Sequence, residues 1–160
     1  MHVQDITRLP RLVILPGLDG TGQLLAAFVE QLQCHFTVDV IDYPVDRPET
    51  YDGLLSYVKE RLPEEEYILV GESFSGPLAL RLAAQSTGSL RALVLGASFS
   101  RLDIPAKGLH EKLIDWIPLP FVPFALLDFL LMGGRGTVEL RHSLMGILGQ
   151  VHPQVLKLRA

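Results

Sequence analysis

Two serines in this chain sit in near copies of one short pattern. Ser73 lies in Gly71-Glu72-Ser73-Phe74-Ser75, and Ser98 lies in Gly96-Ala97-Ser98-Phe99-Ser100. Both fit a loose form of G-x-S-x-G, the sharp turn that presents a serine nucleophile to an acyl carbon. Such a turn needs a strand before it and a helix behind it, so that free N–H groups at the helix start face the developing oxyanion. Ser73 has every part. The apolar run Tyr67-Ile68-Leu69-Val70 precedes it, and Ser75-Gly76 keep the turn small. Pro77 suits a first helical turn, where its missing N–H costs nothing. After Ser98 come Phe99, Ser100, Arg101 and a path toward Pro105, with no helix start. Ser73 is therefore the expected nucleophile, and Ser98 is expected to be a strand-end residue on the same rim.

Acyl transfer also needs a second N–H across from the one that follows the nucleophile. The glycine-rich run Leu15 to Gly22 (LPGLDGTG), placed after an apolar strand, can present it. The N–H groups of Leu18 and Phe74 are the expected pair. A nucleotide reading of the same loop fails in detail. The glycines run G-x-x-G-x-G, and no Gly-Lys-Ser/Thr follows. A loop of this kind can still hold an anion at a helix start.

Around these residues, short apolar runs alternate with helical stripes. Arg11–Leu15, Phe36–Ile41, Tyr67–Val70 and Ala92–Leu95 read as strands. Leu24, Leu25, Phe28, Val29 and Leu32 predict a helix over 20–33 with one buried face. Tyr51, Leu54, Leu55, Val58 and Leu62 predict a second, and Pro77 to Ala84 a third. Strand and helix alternating with short links predict a doubly wound, mostly parallel α/β sheet. From Ile104 the pattern turns helical and proline-interrupted. We therefore expect an α/β core over 1–103 and a helical cap over 104–160. The eight-residue likeness between the two serine segments is too short for a repeat.

LPGLDGTG after the first strand, YPVDRPET after the second and GESFSGPLALRLA at the turn resemble the α/β-hydrolase superfamily. Within it they are similar to bacterial α/β-fold hydrolases and, more distantly, to plant plastid esterases, lipases and acyltransferases. The resemblance covers Arg11 to about Ser100, and departs from the pattern in having Ser75 where glycine is usual. It implies an acidic residue and a histidine, supplied after two further strands beyond the cap. The sequence to Ala160 holds no such strands. The chain is thus expected to be the N-terminal part of a longer hydrolase, or one whose missing strands come from a partner. Alone it should turn over little, because an unassisted serine is a weak nucleophile. His110, His142 and His152 are expected at the surface or in packing, and Asp103 in a loop entering the cap. The all-apolar strand Ala92–Leu95 would then form an exposed sheet edge, open to pairing with another chain.

Composition narrows the remainder. The chain has 160 residues, 48% of them hydrophobic and 20% charged, with a net charge of −4, which favours a globular domain without a basic stripe for nucleic acid. Cys34 is the single cysteine, so neither an intrachain disulfide nor a cysteine metal cluster is expected, and a buried or inert thiol is. No cofactor and no metal are expected. Trp116 to Met132 is apolar but carries three prolines and Asp128, which argues against a membrane span. Its aromatics, with Phe121, Phe124 and Phe129, hint at an apolar acyl substrate. The N-terminus lacks a secretory layout, and a cytoplasmic place follows by default. The leading expectation is a serine hydrolase of esterase or lipase type. An acyltransferase on the same acyl-enzyme, or a silent lipid- or protein-binding module, are the alternatives.

Overall fold

The computed structural model describes residues 11–86, 88–98 and 137–159. Four strands form one parallel sheet: β1 (Arg11–Leu15), β2 (Thr37–Val40), β3 (Tyr67–Glu72) and β4 (Leu90–Gly96). Their spatial order is β2-β1-β3-β4, with every pairing parallel. The helices α1 (Ala26–Leu32), α2 (Tyr51–Lys59) and α3 (Gly76–Ala84) make the crossovers. Parallel neighbours require such crossovers, since a tight turn cannot return the chain to the same end. Later in the chain, α4 (Val138–Leu148) and α5 (Pro153–Arg159) follow one another.

The order places β1 and β3 side by side at the centre. Leu15 pairs with Gly71 at the last position of that ladder. The loop leaving β1 and the turn leaving β3 therefore emerge as neighbours on the carboxyl edge. This is where an open α/β sheet places its ligands.

The core forms on the face covered by α2 and α3. Val13, Leu15, Leu54, Val58, Leu69, Leu78 and Ala79 are buried there. A smaller cluster, Val151, Val155 and Leu156, packs against Leu18 and Val45. It seats α5 directly on the loop after β1. The α2 stripe is buried at Leu54, Leu55 and Val58, as its spacing predicts. Thr50 caps this helix, accepting the N–H of Gly53 at 3.1 Å.

Two expectations need correcting. The predicted 20–33 helix is split into a short 3-10 turn at Gln23–Leu25 and α1, and neither contains a buried residue. Phe28 is 50% exposed. Helical periodicity marks the apolar face, but the face is buried only if something lies opposite. Here α1 follows β1 toward the edge strand β2, where the described residues offer little cover. Cys34 is exposed just past the end of α1, which corrects the buried one of its two expected readings. At the opposite edge β4 is open along much of its length, with Val94 48% and Leu95 40% exposed. Continuous apolar strands are thus covered on both sides at β1 but not at β4.

Close approach of α3 to β3 depends on Gly71. A Cβ there would stand 2.7 Å from the Cβ of Ala79 and 3.1 Å from the Ser75 carbonyl oxygen. Gly96, which holds the same place in the second serine segment, has nothing within 4 Å among the described residues. Gly71→Ala should lower stability by roughly 1–3 kcal/mol through overpacking. Gly96→Ala should stay within about 0.5 kcal/mol of the parent, as open positions do. Urea midpoints of the two variants check the contrast.

Candidate active site

Ser73 is the residue at which β3 becomes helix. Its φ is 47°, in the left-handed region that an L-residue with a side chain seldom occupies. Such backbone strain persists only where the surrounding structure holds it, and it gathers at functional sites. A 3-10 turn at Ser73–Ser75 runs straight into α3, with Pro77 at the helix start. Phe74 is buried, and its ring packs against Tyr51 at a centroid distance of 4.9 Å. The Tyr51 hydroxyl donates to the Phe74 carbonyl at 3.0 Å, and burial pushes its phenol up to about 12. Phe74 belongs to the first turn, where N–H groups have no acceptor within the helix. Ser73 Oγ has no hydrogen-bond partner among the described residues.

The second serine is out of register with the first. Glu72 pairs with Gly96, so the residue level with Ser73 is Ala97, which also has φ 47°. Ser98 falls one place later. Its hydroxyl donates to the Ser73 carbonyl at 2.5 Å, so its one proton is already committed. The residues after it lie outside the described part.

The glycine loop approaches the turn from β1. Gly20 donates its N–H to the Gly17 carbonyl at 3.0 Å, closing a tight turn over Leu18 and Asp19. With the Gly17 carbonyl held that way, the Leu18 N–H in the same peptide points to the opposite side, and no described group accepts it. Asp19 is buried and accepts from the Thr21 N–H at 2.9 Å and the Thr21 hydroxyl at 2.5 Å. Tyr43, just past β2, donates its N–H to the Gly20 carbonyl at 2.7 Å.

Several polar groups that the sequence did not single out hold loop and turn together. Ser75 is fully buried, and its Oγ donates to the Pro16 carbonyl. The Tyr43 hydroxyl lies 2.5 Å from the same Oγ. A hydroxyl has one proton, and that of Ser75 goes to an oxygen that can only accept. Tyr43 must therefore be the donor to Ser75. Burial raises the Tyr43 phenol well above its ordinary value, which keeps that donor proton in place. Arg159 of α5 is also buried and donates to the carbonyls of Leu18 (3.3 Å), Asp19 (3.1 Å) and Pro44 (2.8 Å). Its guanidinium sits 5.3 Å from the centre of the Tyr43 ring. Burial lowers its pKa, while Tyr43 and Asp19 offset the effect.

Glu72 adjoins the nucleophile and faces the loop. Its carboxyl is pushed up to about 7 by burial and by the Asp19 carboxylate, against the opposing pull of the Gly17 N–H. A Cβ on Gly17 would meet Glu72 Oε2 at 2.4 Å, so a larger residue there would have to displace the end of the Glu72 side chain.

The expected histidines stand elsewhere. His142 is exposed, its Nδ1 3.1 Å from the Val138 carbonyl one turn back. His152 is exposed at the start of α5, with its N–H on the Val45 carbonyl and its Nδ1 accepting from the Gln154 N–H at 3.3 Å. Both lie at the surface, one of the two places expected of them. Asp103, His110, Trp116, Phe121, Phe124 and Phe129 lie outside the described residues, as does the whole Trp116–Met132 stretch. Among the described residues no helix is long and apolar enough to cross a membrane, and no group of His, Cys, Asp and Glu could hold a metal.

The fold as a whole superposes on known structures. MenH from S. aureus superposes with a TM-score of 0.68 at 18% identity, over 96% of this chain and 66% of that one. A hydrolase from Pseudomonas aeruginosa gives 0.67 at 19%, over 94% and 62%. The chain therefore has the α/β-hydrolase fold. By sequence it is 36% identical over 102 residues to phytyl ester synthase 1 of Arabidopsis thaliana, covering 58% of this chain and 14% of that protein. It is 30% identical over 93 residues to the pimeloyl-[acyl-carrier protein] methyl ester esterase of Proteus mirabilis, covering 54% and 36%. The chain thus spans well under half the length of either relative. No protein-family model matches it.

The Glu72 shift has a consequence for stability. A carboxyl whose folded pKa is raised from 4.5 to about 7 favours folding below pH 4.5, and that contribution is lost as pH rises through about 7. Glu72→Gln removes this dependence. Relative to the parent, the variant should gain in melting temperature between pH 4.5 and pH 8. Calorimetry across that range checks the direction.

Proposed function

We propose that this chain carries the nucleophile and oxyanion hole of a serine hydrolase that cleaves an ester or related acyl bond. The observation that carries this reading is the positive φ of Ser73 at the junction of β3 and α3, beside a glycine loop with an unaccepted N–H. In the proposed step Ser73 Oγ attacks the acyl carbon and gives its proton to a base. The carbonyl oxygen gains the negative charge and is held by the N–H groups of Leu18 and Phe74. Collapse expels the alkoxide, which takes up the proton, and leaves an acyl group on Ser73. Water then resolves the acyl-enzyme. The base is a histidine outside the described residues. Residues 104–160 act as a helical cap over this edge, the aromatics of Trp116–Met132 favour an apolar acyl chain, and the open edge of β4 is the place for a further strand to pair. In this reading the protein works in the cytoplasm.

A second reading has support in the match to a phytyl ester synthase. The same acyl-enzyme could be resolved by an alcohol instead of water, making the chain part of an acyltransferase. Partition separates the two: an acyl donor offered with a long-chain alcohol yields new ester from a transferase and free acid from a hydrolase.

Site selectivity tests the shared core of both readings. Oxyanion stabilisation and binding alone leave about 10³–10⁴-fold catalysis when another member of such a machinery is missing. A fluorophosphonate probe should therefore modify Ser73 at least ~10-fold faster than any other serine of the folded chain. Peptide mass spectrometry should place the adduct on Ser73, and Ser73→Ala should lose it. Equal slow labelling of many serines, or an adduct on Ser98, would leave a silent binding module as the better account.

A further inference from the structure

Ser75 and Glu72 flank the nucleophile, at two positions after it and one before. Both reach the same peptide unit of the opposing loop, the one joining Pro16 to Gly17. Ser75 Oγ donates to its carbonyl oxygen, and the Glu72 carboxylate lies against Gly17, where a Cβ would stand 2.4 Å from its Oε2, close enough for the Gly17 N–H to act on its charge. We propose that Glu72 and Ser75 are positioning residues that clamp the two poles of the Pro16–Gly17 peptide, and so fix the direction of the Leu18 N–H one peptide further on. This inference rests on the oxyanion role proposed for Leu18.

The geometry gives the clamp a direction. A peptide carries its C=O and N–H on opposite sides, so one partner at each pole prevents a flip about the chain axis. The next peptide is held by the Gly20 N–H on the Gly17 carbonyl. Two successive planes are thereby set, and the Leu18 N–H is left facing outward. Tyr43 supplies the third part. By donating to Ser75 Oγ at 2.5 Å, it obliges the Ser75 proton to point at Pro16. Glycine, the usual residue at position 75, could do none of this.

The Glu72 half of the clamp depends on charge. An ionised carboxylate holds an N–H more strongly than a neutral carboxyl does. The groups that act on Glu72 are the Asp19 carboxylate and the Gly17 N–H, both from the loop after β1. Tyr43, past β2, feels the Glu72 charge in turn. Arg159 of α5 stands behind Asp19 and Tyr43. Losing a proton from Glu72 should therefore tighten its hold on Gly17.

Backbone amide resonances of the ¹⁵N-labelled chain test this in a Ser73→Ala background, where no chemistry occurs. The Gly17 amide should move downfield as pH rises, with a midpoint near the value of about 7 expected for Glu72. In Glu72→Gln, which keeps shape and an acceptor, that movement should vanish. Ser75→Ala should shift the Gly17 and Leu18 amides together at fixed pH. A Gly17 resonance that does not titrate, or that titrates identically in Glu72→Gln, overturns the proposal. So does a Leu18 amide unmoved by Ser75→Ala. Because the readout is structural, an unreactive Ser73 would refute the hydrolase reading and still leave the clamp measurable.

Discussion

The buried hydrogen-bond chain from Tyr43 through Ser75 to Pro16 joins the tips of three strands: β2 by Tyr43, β3 by Ser75 and β1 by Pro16. Each tip alone is a loop on the rim of a parallel sheet, where backbone groups compete with water for partners. Buried together, they cannot change partners without leaving a polar group unpaired, which costs on the order of 1–3 kcal/mol. The cost of disorder at one tip is thus imposed on all three. A serine in place of the usual glycine makes this possible, since glycine offers no hydroxyl.

The strain at Ser73 depends on the same closure. A residue with φ 47° relaxes if the chain on either side can move. Behind it, Gly71 lets α3 press against β3, and Tyr51 holds the Phe74 carbonyl. Beside it, Ser98 holds the Ser73 carbonyl. In front, Ser75 is tied to the loop. Strain at the turn is therefore kept by packing on one side and hydrogen bonds on the others, so that loop and turn form one rigid piece.

Much of this arrangement was legible in the sequence. The apolar runs marked all four strands, and Leu54, Leu55 and Val58 named the buried face of α2. Ser73 stood apart from Ser98 because a small residue, a glycine and a proline followed it. Local patterns failed wherever the answer lay in another part of the chain. Phe28 and Cys34 were exposed because the described residues cover α1 only in part, and periodicity cannot report how much of a face its neighbours reach. Ser75 looked like a tolerated substitution, since its partners are 59 and 32 residues away. Glu72 carried no signal of its own in the sequence, because the glycine loop it lies against is more than fifty residues away. Arg159 reaches Leu18 across 141 residues, and nothing near either residue announces the pairing.

Arg159 also gives the rim its polarity. The loop carbonyls of Leu18, Asp19 and Pro44 all turn toward one buried guanidinium, and the Gly17 carbonyl turns into its own tight turn. Their oxygens are withdrawn from the edge of the sheet where a substrate would lie. What the loop offers outward is its hydrogens. One cation set behind the loop thus acts as a sorter of peptide dipoles, giving an uncharged stretch of backbone a positive face.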